Sequence, residues 1–141
     1  MPKIDFYILS DPAPDAALRY ACRLADKAVE QGHRVFVRAA SADEAQRLDD
    51  LLWTFGDRAF LPHEIASAAA PSHPLVRVLV GCEIPPTTFR DVLINLGTDA
   101  VNEIDDLQRI AEVVSPDRKP AARERFKMYR DHGAEPTTHN V

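Results

Sequence analysis

Short apolar runs alternate along this chain with stretches of helical periodicity, and that alternation limits the possible folds more than any other feature. Ile4-Asp5-Phe6-Tyr7-Ile8-Leu9 reads as a buried strand that stops at the turn residues Ser10-Asp11-Pro12. Leu18, Cys22, Leu24, Ala25 and Ala28 then recur at helical spacing, with Asp15 placed to cap the start and Gly32 to end the helix. Residues 33–40 form a second strand, with Arg34 and Arg38 flanking an apolar middle. Ser41-Ala42-Asp43-Glu44 has the pattern of a capping box, in which a hydroxyl and a carboxylate each satisfy an amide left open at a helix start. The helix it opens carries the stripe Ala45, Leu48, Leu51, Leu52 and Phe55 and is expected to end at Gly56.

Beyond it, Phe60-Leu61-Pro62-His63 is extended, and residues 66–74, rich in Ala, Ser and Pro, form a loop expected to be mobile. Residues 76–80 and 92–96 are further strands, 101–107 a short helix, 110–114 another apolar strand, and 117–133 the closing helix. Strands alternating with helices at this spacing pair in parallel through crossover helices. The expected architecture is therefore α/β: a three-layer, doubly wound, Rossmann-like domain around a mainly parallel sheet. It is expected as a single domain over residues 1–133, followed by a flexible C-terminal tail over 134–141.

A length of 141 residues suffices to bury about two thirds of the unfolded chain's surface in one core. The apolar share of 45% is that of a globular domain, and no segment approaches the roughly 18 apolar residues of a membrane span. Met1-Pro2-Lys3-Ile4-Asp5 leads straight into a strand, without the pattern of a signal peptide, so a cytoplasmic protein is expected. Cys22 and Cys82 each sit within an apolar segment and are expected as buried free thiols. The net charge of −5 argues against coating of nucleic acid, which is driven by many Lys and Arg side chains releasing counterions. Any contact with DNA is expected to be indirect.

A doubly wound sheet suggests a ligand at the carboxyl ends of its strands. Here the first strand-to-helix turn, Ser10-Asp11-Pro12-Ala13-Pro14-Asp15, has two prolines, two acids and no glycine, so it offers few free amides and repels a phosphate. Asp11 reads as turn chemistry, accepting its own downstream amide. The five histidines show no HxxxH or HxH pairing, neither cysteine has a partner at ligand spacing, and no serine stands in a glycine-flanked elbow. The expectation is a protein without cofactor or metal, and not an enzyme on its own.

Two surfaces remain. Between Asp117 and His132 six basic residues (Arg118, Lys119, Arg123, Arg125, Lys127, Arg130) face three acids, a local balance of +3 in a chain of −5. Arg123, Phe126, Lys127 and Arg130 are three and four apart and share one helix face, with Tyr129 beside Phe126 and Gly133 closing the end. On one reading the rings are the buried edge of an amphipathic helix and the arginines its solvated side. On the other, a guanidinium pairs with a carboxylate while an aromatic wall receives an apolar side chain, which suits a peptide tail that is acidic and ends in an aromatic residue. The second surface is Trp53, Phe55 and Phe60-Leu61-Pro62-His63: Trp53 is offset from the helix stripe, either at the core margin or in an interface.

Five segments in order carry a family resemblance: Asp5-Phe6-Tyr7-Ile8-Leu9, Ala45-Gln46-Arg47-Leu48-Asp49-Asp50-Leu51-Leu52-Trp53, Phe60-Leu61-Pro62-His63, Arg90-Asp91-Val92-Leu93-Ile94-Asn95-Leu96 and Ala122-Arg123-Glu124-Arg125-Phe126-Lys127-Met128-Tyr129-Arg130. Together they resemble the chi subunit family of bacterial DNA polymerase III. The resemblance implies a non-catalytic accessory subunit of the replicative holoenzyme, a nucleotidyltransferase complex. It implies a bridge from the clamp loader, through the psi subunit, to the acidic, phenylalanine-ended C-terminal tail of single-stranded DNA-binding protein. The tail-binding role then falls on Arg123, Phe126, Tyr129 and Gly133, supported by Lys119, Lys127 and Arg130. The psi-binding role falls on Trp53, Phe60 and Pro62, a surface that a helicase-like repair protein can also use. The implied state is a monomer that forms heterodimers in the cytoplasm, at the replisome. Two other readings compete: a nucleotide-binding or small α/β enzyme domain, and a direct single-stranded DNA binder stacking bases on Phe126 and Tyr129.

Overall fold

The computed structural model describes residues 1–54, 61–67, 71–97, 99, 101 and 104–141. Among these, seven strands form one parallel sheet: β1 (Lys3–Ile8), β2 (Val35–Arg38), β3 (His63–Ile65), β4 (Val78–Gly81), β5 (Val92–Asn95), β6 (Arg109–Val114) and β7 (Thr137–Asn140). Their order is β3-β4-β2-β5-β6-β1-β7, and each neighbouring pair is parallel. Three helices accompany them: α1 (Ala16–Glu30), α2 (Ala42–Leu52) and α3 (Lys119–Asp131). The α/β, doubly wound, Rossmann-like architecture read from the sequence is the one observed.

The two-residue alternation of the strands splits the interior into two cores. Val35, Val37, Val78, Val80, Val92, Ile94, Ala111 and Val113 face α1 and α2, meeting Leu18, Cys22, Ala25, Leu48 and Leu52. Ile4, Phe6, Phe36, Leu79, Leu93, Ile110 and Val114 face the opposite way, meeting Ala122, Tyr129 and the short segments that carry Phe89, Ile104 and Leu107. Among the described helices only α3 lies in this second layer. The sheet's face there is closed largely by 3-10 turns at Thr87–Phe89 and Ile104–Asp106.

Local details correct several expectations. Asp15 precedes α1 but makes no side-chain cap and instead pairs with Arg19 at 2.9 Å. The Ser41 hydroxyl accepts the Glu44 amide at 3.1 Å, while the Glu44 carboxylate accepts the amide of Ala40, so the capping pair at α2 forms with the return bond displaced by one residue. The segment expected as a helix over 101–107 is a single 3-10 turn, and α3 starts at Lys119 after a 3-10 turn at Pro116–Arg118. Phe55, Gly56 and Phe60 lie outside the described residues.

The largest correction concerns residues 134–141, expected as a flexible tail. Thr137–Asn140 is the edge strand β7, paired in parallel with β1. Three things hold it there: Ala134 is buried, the His139 ring stacks on Tyr7 at 5.0 Å, and His139 Nε2 lies 2.9 Å from a carboxylate oxygen of buried Asp5. Gly133, at φ +103°, makes the reversal possible, with its amide on the Arg130 carbonyl and the Ala134 amide on the Tyr129 carbonyl, the two bonds of a Schellman stop.

Candidate functional site

The crevice outside the carboxyl ends of β1, β5 and β6 is where a doubly wound sheet would hold a nucleotide. Here Pro12, Pro14, Leu96, Glu44 and Arg118 line it. Arg118 reaches across, donating to the Leu96 carbonyl at 2.6 Å and to Glu44 at 3.1 Å. Asp11 accepts the Ala13 amide at 2.9 Å, the turn chemistry read from the sequence. The cation in this crevice is thus committed to the protein's own carbonyl and carboxylate.

The ring-and-cation helix presents its residues to a different place. Its packing face is Ala122, Arg125 and Tyr129, all buried, with Phe126 half-buried. Arg125 is 3% exposed and pairs with Glu112, which is fully buried in the middle of β6. Tyr129 donates its hydroxyl to the other oxygen of Glu112 at 2.5 Å, and Asn95 donates its amide nitrogen to both oxygens, at 3.0 and 3.1 Å. The Asn95 oxygen in turn accepts from the Gly97 amide and from Arg38. A buried carboxylate with this many donors keeps its charge satisfied in a low-dielectric interior. Burial and the adjacent Glu112 push the Tyr129 hydroxyl well above the ordinary tyrosine range, so it stays a donor.

This network turns Tyr129 inward: its ring packs 5.9 Å from Phe6 and its hydroxyl donates to Glu112. It also removes two cations from the surface count, since Arg125 pairs with Glu112 and Arg118 with Glu44. The missed residues are Glu112, Asn95 and Arg125. The sequence signal was Glu112 itself, a charge in the midst of the apolar run Ile110-Ala111-Glu112-Val113-Val114.

With α3 held in this way, its outer side faces a notch of about 300 Å³ against the sheet edge. Arg123, Phe126, Lys119 and Ala122 line it from the helix, Phe6 and Ile8 from β1, and Thr138 from β7. The Phe126 ring forms its wall, tilted against Phe6 at 5.2 Å. Phe126 also borders a second depression, of about 430 Å³, together with Arg123, Lys127, Arg130 and Asp131. Arg123 and Phe126 therefore share both hollows, and four exposed cations surround them: Lys119, Arg123, Lys127 and Arg130. Gly133 lines neither and serves as the helix stop.

At the opposite side of the sheet Trp53 is 57% exposed at the end of α2. Its indole meets the His63 ring edge-on at 4.5 Å, and His63 is held between the carbonyls of Leu61 and Asp49. Pro62 is half-buried beside them. Burial raises the Asp49 carboxyl above its usual range, with His63 opposing that shift.

A family model described as DNA polymerase III chi subunit, HolC, matches residues 1–137. The chain belongs to the DNA polymerase III chi subunit family. Membership carries an accessory role in DNA replication. This chi-family chain is 42% identical over 137 residues to the DNA polymerase III subunit chi of Pseudomonas aeruginosa, covering 94% of this chain and 92% of that one. It is 30% identical to the subunit chi of Haemophilus influenzae, covering 96% and 95%, and 28% identical to that of Escherichia coli, covering 94% of each.

Among solved structures the chi-family fold is similar to T4 UvsW, with TM-score 0.68 and 10% identity over 99% of this chain and 41% of that one. It is also similar to the Mss116p DEAD-box helicase domain 2 bound to an RNA duplex, with TM-score 0.62 and 9% identity over 97% and 64%. The chain spans less than two thirds of either structure, and at such identities the likeness concerns the fold alone.

Proposed function

We propose that this chain is a non-catalytic adaptor of the DNA polymerase III holoenzyme, acting in the cytoplasm at the replisome. It joins the psi subunit of the clamp loader to the acidic, aromatic-ended tail of single-stranded DNA-binding protein, so that its own contact with DNA is indirect. The observation that supports the tail site is the shared notch: Arg123 and Phe126 line one hollow, with Lys119 beside them. A guanidinium pairs with a terminal carboxylate in bidentate fashion, the ring accepts an apolar side chain, and the flanking cations attract the acidic residues upstream. Trp53 and Pro62, with Phe60, are assigned to psi because a large exposed aromatic beside a proline suits a hydrophobic anchor point.

Calorimetry with a synthetic peptide of several aspartates ending in Phe tests the first site. Arg123→Ala weakens binding by about 1.5–3 kcal/mol, the range for hydrogen bonds to charged groups, with the fold intact. Trp53→Ala leaves peptide affinity alone and weakens binding of psi. Equal affinity of wild type and a folded Arg123→Ala variant would remove the tail site from the notch.

A further inference from the structure

The tail-binding notch opens directly onto the free edge of the sheet, and that edge has a defined hydrogen-bonding register. Val141 donates its amide to the Ile8 carbonyl at 3.0 Å, and its own carbonyl accepts the Ser10 amide at 3.2 Å. In a parallel ladder a residue that turns both groups toward one neighbour is followed and preceded by residues that turn both groups the other way. Thr137 and His139 therefore share the inward orientation of Val141 toward β1, and Thr138 and Asn140 direct their N–H and C=O groups outward. No strand pairs with this side of β7 among the described residues. Thr138 is at once the outward-facing backbone residue and a wall of the notch.

Resting on the adaptor reading above, the geometry points to β-strand addition at β7 as the way this site takes an acidic peptide: its aromatic tip fills the notch while the acidic residues before it pair along Thr138 and Asn140. Charge selects this edge over the opposite one. Beside β7 stand the exposed cations Lys119 and Arg123 of the notch, whereas β3 at the other edge contains Glu64 and lies beside a groove that includes Glu83. An acidic strand is attracted to the first edge and repelled from the second. Backbone pairing supplies affinity that is indifferent to the order of the acidic residues, and the notch supplies the selection for the tip.

Amide hydrogen exchange followed by NMR, on the wild-type chain with the aspartate-rich peptide ending in Phe, tests this directly. In the free protein the Thr138 and Asn140 amides exchange fast while those of Thr137 and His139 are protected; saturating peptide slows Thr138 and Asn140. Peptides N-methylated at alternating positions of the aspartate segment complete the test. Methylation in one register lowers affinity roughly three- to ten-fold, the loss of about one hydrogen bond, and methylation in the other leaves it unchanged. Unaltered exchange at Thr138 and Asn140 under saturation overturns strand addition. If Arg123→Ala still weakens the peptide in that case, the notch stands and only the strand-addition inference fails; if Arg123→Ala has no effect, the notch assignment itself fails.

Discussion

Arg125 and Glu112 form an ion pair withdrawn almost wholly from water, with Nη2 3.1 Å from Oε1 and side chains 3% and 0% exposed. A pair so buried offsets the desolvation of its two charges only while both partners remain. Glu112→Ala removes the buried carboxylate that Arg125, Asn95 and Tyr129 all donate to. The expected cost is about 3–5 kcal/mol of unfolding free energy, read from urea denaturation. A loss below about 1 kcal/mol would show that α3 does not depend on this network.

Tyr129 and Phe126 are neighbours on α3 with opposite expected phenotypes. Tyr129→Phe deletes a donor to a buried carboxylate and destabilises the fold by about 1.5–3 kcal/mol, while peptide affinity measured by calorimetry on the folded variant stays at the wild-type value. Phe126→Ala removes the wall of the notch and weakens the peptide. Loss of peptide binding in folded Tyr129→Phe would mean that the network tunes the site as well as holding the helix.

The helix faces explain what was legible in the sequence and what was not. The alternation of Val35, Phe36 and Val37, or of Val78, Leu79 and Val80, was readable because each strand is covered on both sides and its apolar run has no breaks. Arg123 and Phe126 were readable as a pair because a three-residue step puts them on one face. Arg125 was read as solvated because charge usually is, although Ala122, Arg125 and Tyr129 also follow helical steps. The side chain that decides between those faces, Glu112, lies 13 residues away on another element. The strand β7 escaped for a related reason: Thr-Thr-His-Asn has no apolar run, and what orders it is the contact of His139 with Asp5, 134 residues earlier.

The two cysteines differ in reactivity. Cys22 is buried on the inner face of α1, and that burial pushes its thiol from 9.0 up to about 12, Arg23 opposing; Cys82 is only half-buried. At pH 8 a thiol-specific reagent therefore modifies Cys82 in the native protein and leaves Cys22 untouched until the chain unfolds. The sign for stability follows from the raised value: the folded state holds the Cys22 proton more tightly than the unfolded one. Its contribution is complete below about pH 9 and is lost as pH rises toward 12. Rapid labelling of both thiols at pH 8 would contradict the placement of Cys22.

Trp53 is the sole tryptophan, which turns the proposed psi-binding surface into its own optical reporter. With the residue 57% exposed, its fluorescence is expected at the red, water-exposed end of the indole range and to be readily quenched by acrylamide. The proposed peptide site lies across the sheet at α3 and β7, so saturation with the acidic peptide is expected to leave this emission and its quenching unchanged. Binding of psi over Trp53 buries the ring, moves the emission to the blue and protects it from the quencher, since the centre of an interface excludes water around its aromatic anchors. His63 sits 4.5 Å away, edge-on to the indole, so His63→Ala loosens the ring without removing it. That variant is expected to weaken psi through a less ordered anchor, and an emission that stays red while psi is bound would move the psi interface off Trp53.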